Sequence, residues 1–270
     1  MTSQSHHPIR RSALSLAAAA MLGAGSADPA AAASCTWNAT AGNWAAIVNW
    51  LNCATGNGNP TGVPGSSDTA NIGATGVVTV DNSGGQAALH LNNAGQIDIN
   101  AFVLSLAGGG STTNSGTLNV GAGPIPNNAA LQVGAGHNVD NTGGFINISA
   151  DSVLNQFGST ITGGTITTTG TGKVVAFSSG SNFLSNVTLN GILDLATNAN
   201  SREQIINGAT LNGSINVANG GILGLNSAST GGGGNQTLNG TATINLNDAA
   251  ARLSIEGNGS TTLGLSLIHI

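Results

Sequence analysis

Carboxylates and histidines are the side chains of this chain that could do acid–base chemistry, and they are sparse. Beyond the N-terminal segment the acids are Asp68, Asp81, Asp98, Asp140, Asp151, Asp194, Glu203, Asp248 and Glu256. Chemistry on polysaccharides needs such groups clustered on one face, often with Arg or Lys beside them. Asp98 and Asp194 hold comparable places after a recurring glycine, which would set them on one outer face. Asn119, Asn147 and Asn216 hold that place in other segments, so solvated strand positions are the reading that fits. Arg202-Glu203, inside "NANSREQ", reads as a surface ion pair. His90 and His137 stand alone. No Gly-x-Ser-x-Gly in a strand-to-helix context marks a nucleophile. "GGGGN" (Gly231–Asn235) lacks the Lys-Ser/Thr of a phosphate loop, and the calcium-binding Gly-Gly-x-Gly-x-Asp repeat is absent. The expectation is a protein with no catalytic, cofactor-binding or metal-ligating set, and so not an enzyme and with no cofactor.

The other reactive pair is Cys35 and Cys53, which bound "CTWNATAGNWAAIVNWLNC". The same stretch holds all three tryptophans, Trp37, Trp44 and Trp50. In an oxidising compartment one even pair at short spacing is most simply a disulfide, and closing that loop would contribute about 3 kcal/mol. Two free buried thiols are the alternative; two cysteines with no histidine nearby do not make a metal site.

Residues 1–33 read as an export signal. His6 to Arg11 form a basic start, "ALSLAAAAMLGAG" (Ala13–Gly25) an apolar stretch too short to span a bilayer, and small-residue cleavage options follow after Ala27 or Ala33. Arg10-Arg11-Ser12 is a faint twin-arginine pattern, and Ala32-Ala33-Ser34-Cys35 is a poor lipoprotein box. No later run is long enough for a membrane helix. The mature chain is therefore expected to be exported, to the bacterial cell surface or outside, with the periplasm as a station in transit. Its basic residues are then Lys173, Arg202 and Arg252, too few to neutralise a row of phosphates or an anionic membrane. Nucleic acid is excluded as a partner on that ground.

These residues must be positioned by a body that repeats. The chain has 270 residues, 42 of them glycine, with 6% charged and 3% aromatic side chains. Glycines 95, 116, 143, 164, 191, 213 and 240 each precede a short apolar–polar alternation, at gaps of 21, 27, 21, 27, 22 and 27 residues. Self-similarity at this period marks a solenoid. In Ile97-Asp98-Ile99, Leu118-Asn119-Val120, Ile146-Asn147-Ile148, Leu193-Asp194-Leu195 and Ile215-Asn216-Val217, apolar residues flank a polar one, the pattern of a strand with one buried face. Helical spacing is absent. The expected fold is all-β: a right-handed parallel β-helix, preceded by a signal helix and closed by a Trp/disulfide cap, with its coils about 4.8 Å apart. Asn93, Asn114, Asn141, Asn190, Asn212 and Asn239 could form ladders between coils, or simply tolerate left-handed turns. Trp37, Trp44 and Trp50 are expected to cover the open end of the stack; a sugar-stacking patch is the alternative. The outward threonines of "TITTTGTG" (Thr165–Gly172) suggest a water-ordering array, but repetition in successive coils is missing from the sequence pattern.

An export signal, the spaced tryptophans, "VPGSSDTANI" and the Gly/Asn-rich strand repeats together resemble the N-terminal part of bacterial autotransporter passengers and related large secreted adhesins. The resemblance covers most of the mature chain. It implies a β-helical, surface-displayed, structural or adhesive stalk, with surface or host glycans and proteins as partners. A C-terminal outer-membrane barrel signature and a protease triad are not found here. A polysaccharide-binding or polysaccharide-degrading β-helix is the alternative. "LSLIHI" (Leu265–Ile270) breaks the texture and looks like translated sequencing adapter, an alternative to a genuine apolar strand; on that reading the chain is an N-terminal fragment. The expected divisions are 1–33 signal, 34–75 cap, 76–264 repeats and 265–270 non-native tail.

Overall fold

The computed structural model describes residues 32–53, 62–81, 85–124, 128–226 and 235–265. The signal segment lies outside the described residues except for its last two positions, and so does the tail beyond Leu265. Among the described residues the chain is all-β, with one short 3-10 turn, Ile47–Asn49, and no helix long and apolar enough to cross a membrane.

The strands stack as coils, and register shows how. Each full coil has three faces. On the first, Cys35, Ala70, Leu91, Thr112, Val139, Ile161, Leu184, Ile205, Leu225 and Ile255 follow one another as parallel neighbours. On the second, Val78, Ile97, Leu118, Ile146, Ile166, Leu189 and Leu211 do so. On the third, the column is Leu104, Leu131, Leu154, Val174, Leu193, Ile215 and Ile244. All but Thr112 and the terminal Ile255 are apolar and buried. Strand alternation turns every second side chain inward, and the columns merge into one aliphatic core. Such a parallel-rich stack is compatible with a β-solenoid. Each fully buried aliphatic side chain contributes about 1.5–3 kcal/mol.

The stack corrects the phase of the repeat. The glycine pattern equates Gly164 with Gly191. In the structure Ile166 belongs to the second face, whereas Leu193 rests on Val174 of the third. Ile215 and Ile244 stay on that third face. The reason is that every face has the same inward–outward alternation, so the gap from 164 to 191 contains one coil and one further corner. Gly191 and Gly213 turn that corner at φ 136° and 117°. A Cβ on Gly213 would run into the backbone of Gly191 one coil away, and one on Gly191 into Thr168, so both positions are glycine.

The N-terminal end is built differently. Ser34–Trp37 pairs in parallel with Thr69–Ile72 on one side. On the other side it pairs antiparallel with Trp50–Leu51, Thr36 opposite Leu51 and Trp37 opposite Trp50. Cys35 and Cys53 form a disulfide. Trp50 packs edge-on against both Trp37 and Trp44, with ring centres 5.0 Å apart in each pair. Trp50 Nε1 donates to the Trp44 carbonyl at 2.7 Å. The coil stack thus begins inside the 34–75 segment, beneath this crossing strand.

Candidate functional site

Stacking brings together residues far apart in sequence, and most of the polar ones are used to hold the coils. Two kinds of asparagine result. Asn93, Asn114 and Asn141 are buried at the corner between the first and second faces. Asn93 Nδ2 donates to Asn114 Oδ1 at 2.7 Å, and Asn114 Nδ2 to Asn141 Oδ1 at 2.6 Å. A half-buried row lies on the outside: Asn119 Nδ2 donates to Asp98, Asn147 to Asn119, and Asn212 to Asn190, each at 2.8–2.9 Å. None of these residues has a positive φ. The left-handed turns fall instead to Asn52, Asn128, Asn186, Asn200, Asn207 and Asn219, besides Asp151 and many glycines. Asn239 joins neither ladder, because its register partner is Thr210 rather than Asn212.

The acids are distributed, and all but Glu203 have partners of their own. Asp68 accepts from the amides of Ala33 and Gly65. Asp81 accepts from Asn43, Asp151 from Thr171, and Asp248 from the amides of Asn219, Ala250 and Ala251. The hydroxyl of Thr142, together with its amide, holds the Asp140 carboxyl below the usual range. Asp98 and Asp194 do not share a face: Asp98 is on the second, Asp194 on the third. Burial pushes the Asp194 carboxyl up. The Lys173 ammonium at 2.5 Å, the Thr197 hydroxyl at 2.7 Å and the Ala196 and Thr197 amides outweigh that and hold it below the usual range. Among the described residues no group of three or more His, Cys, Asp or Glu could hold a metal.

Arg202 and Glu203 are not a surface pair. Arg202 reaches Glu256, 54 residues on, across the outside of the stack. Glu203 is fully buried, two residues before Ile205 on the same inward side, and neither carboxylate oxygen makes a hydrogen bond of normal geometry among the described residues. That parity with Ile205 was the signal available in the sequence.

His90 and His137, single in sequence, acquire partners. His90 Nδ1 faces Ser111 Oγ at 2.9 Å on the outside, one coil away. No carboxylate bonds the ring among the described residues, so the serine–histidine contact lacks the third group of a triad. His137 is inside, with Nε2 2.9 Å from Thr112 Oγ1 and Nδ1 2.7 Å from the Ala107 carbonyl. Burial pulls its pKa down.

Trp37, Trp44 and Trp50 are 7%, 0% and 5% exposed. Indoles packed this way present no open ring face, which removes them as a sugar-stacking patch. The exposed aromatic is Phe145, at 51%. It lies on the second face in an outward row that reads Gln96, Thr117, Phe145, Thr165, Thr188 and Thr210 in consecutive coils. The threonine repetition that the sequence pattern lacks is therefore present in space. The hydroxyls of Thr165, Thr188 and Thr210 have no hydrogen-bond partner among the described residues. The signal in the sequence was the triplet Thr-Leu-Asn at 117–119, 188–190 and 210–212.

No protein-family model, no curated protein and no solved structure matches this chain.

Proposed function

We propose that the chain is an exported, surface-displayed structural stalk, a right-handed parallel β-helix of the autotransporter-passenger kind that projects its loops from a bacterial cell. The observation that carries this reading is the three inward columns, aliphatic but for Thr112 and the terminal Cys35, with the outer polar groups tied into inter-coil ladders. Such a stack gains stiffness from every added coil and leaves few free reactive groups. A disulfide at one end suits an oxidising compartment. Expression of the full chain in a bacterium, followed by fractionation and protease treatment of intact cells, tests it. The expected result is a processed product outside the cytoplasm and open to protease at the surface; an unprocessed product retained inside would overturn it.

A second reading, binding of a neutral polysaccharide along the second face, is favoured by Phe145 standing exposed among free threonine hydroxyls. Aromatic faces beside polar groups suit sugar rings, which are apolar above and below and hydroxylated at the edge. A glycan array probed with the wild type and with Phe145→Ala tests it: signals lost in the variant support the reading, and an array blank for both removes it. For a degradative version there is no support from paired carboxylates among the described residues.

A further inference from the structure

Glu203 is a carboxyl inside an aliphatic core. Its neighbours in the same inward column are Asn182 on one side and Leu223 on the other, as the registers Phe183–Gln204 and Glu203–Leu223 require. The Asn182 amide is already spent: Nδ2 donates to the carbonyls of Phe177 and Arg202, and Oδ1 accepts from the Gly158 amide. Ser201, two residues before Glu203, is also fully buried, and its hydroxyl has no partner among the described residues.

The charged groups on the surrounding strands do not reach it. Arg202 and Glu256 pair outside. Arg252 is exposed. Lys173 and Asp194 pair on the third face. His137, three coils away along the corner, is engaged through both ring nitrogens. An ionised carboxylate with no cation beside it, and with only the backbone amide of Gln204 to offset its burial, is far costlier in such a place than a protonated one.

We propose that Glu203 is a pH-operated latch in the coil Arg202–Val217: protonated, it stays in the core and lets the coils close over it; ionised, it must leave, and the coil opens with it. The carboxyl sits well above the usual range because burial outweighs the opposing Gln204 amide. The folded coil then binds one proton more than the open one. Its stability is complete below the ordinary carboxylate range and falls as pH rises, until Glu203 itself ionises in the closed coil. The coils on either side would be loosened there, at one defined level of the stalk.

Hydrogen–deuterium exchange of the intact chain between about pH 5 and pH 8 tests this. The readout is exchange within Arg202–Val217 relative to Gln96–Ile99, so that the intrinsic pH dependence of amide exchange cancels. The expected ratio rises up to about tenfold per pH unit in the wild type and stays flat in Glu203→Gln. A flat ratio in the wild type, or the same rise in the variant, overturns the latch. Should the variant not fold, the Glu203 side-chain carboxyl can be followed by carbon NMR in the wild type. Titration in the ordinary carboxylate range overturns the proposal, and titration well above it supports it.

Discussion

Asn114 donates its side-chain amide to the Oδ1 of Asn141, 27 residues further along the chain, at 2.6 Å in the interior of the stack. The same Nδ2 also lies 3.3 Å from the carbonyl of Phe145. One side chain thus joins two coils and serves the corner where the chain turns between faces. Buried amides in this position are costly to remove, because the groups they leave behind have no water to turn to.

Replacing Asn114 by Leu should therefore cost about 3 kcal/mol in unfolding free energy, since the Asn93 and Asn141 amides lose their partner. Asn119→Leu, on the half-buried outer row, should cost less than about 1 kcal/mol, because solvent replaces its bonds. Urea denaturation of both variants checks this; equal losses would show that the inner ladder has no special weight.

Ile215 is 1% exposed in the third-face column, with Leu193 and Ile244 as its register neighbours. Ile215→Asp should remove more than about 4 kcal/mol or prevent folding, because it places an unpaired charge in the core. Asn216→Asp, which points outward, should change stability by about 0.5 kcal/mol or less. An unchanged thermal midpoint for Ile215→Asp would contradict the inward orientation.

Cys53→Ser should lower stability by about 3 kcal/mol, the cost of reopening the closed loop. Trp37 and Trp50 pair within the segment the disulfide pins, so tryptophan emission should shift to the red below the main unfolding transition. Reduction of the wild type should reproduce this, and emission indifferent to reductant would argue against a disulfide-held lid.

Asp194 supplies an acid limb. Its carboxyl is held below the usual range despite burial, by Lys173, Thr197 and two amides. The stability it contributes is present above the unfolded-state carboxylate range and is lost as pH falls through its own lower value. Asp194→Asn should flatten the thermal midpoint below about pH 4. If the variant and the wild type lose stability in parallel there, the Lys173 contact carries no such role.

The alternation in Leu118-Asn119-Val120 or Ile215-Asn216-Val217 was legible because a strand with one buried face has a period of two whatever surrounds it. The pairing of Cys35 with Cys53 was legible too, since there is no other cysteine to compete. The face to which each strand belongs was not: Ile166 and Leu193 carry the same local pattern and lie on different faces. Glu203 was misread for a related reason. Its neighbours in "NANSREQ" look like a loop; its parity with Ile205 pointed inward, and the register with Leu223 places the carboxyl in the core.

By itself, then, the sequence determined the strand type, the approximate coil length and the Cys35–Cys53 link, because these follow from local alternation, glycine spacing and the absence of any other cysteine. Only the tertiary structure decided which residues meet across coils: Asn114 with Asn141, His90 with Ser111, Arg202 with Glu256, and Thr165 with Thr188 and Thr210. Coil steps vary by several residues at the corners, and each added residue there shifts every later contact along the stack without disturbing the alternation on which the strands depend.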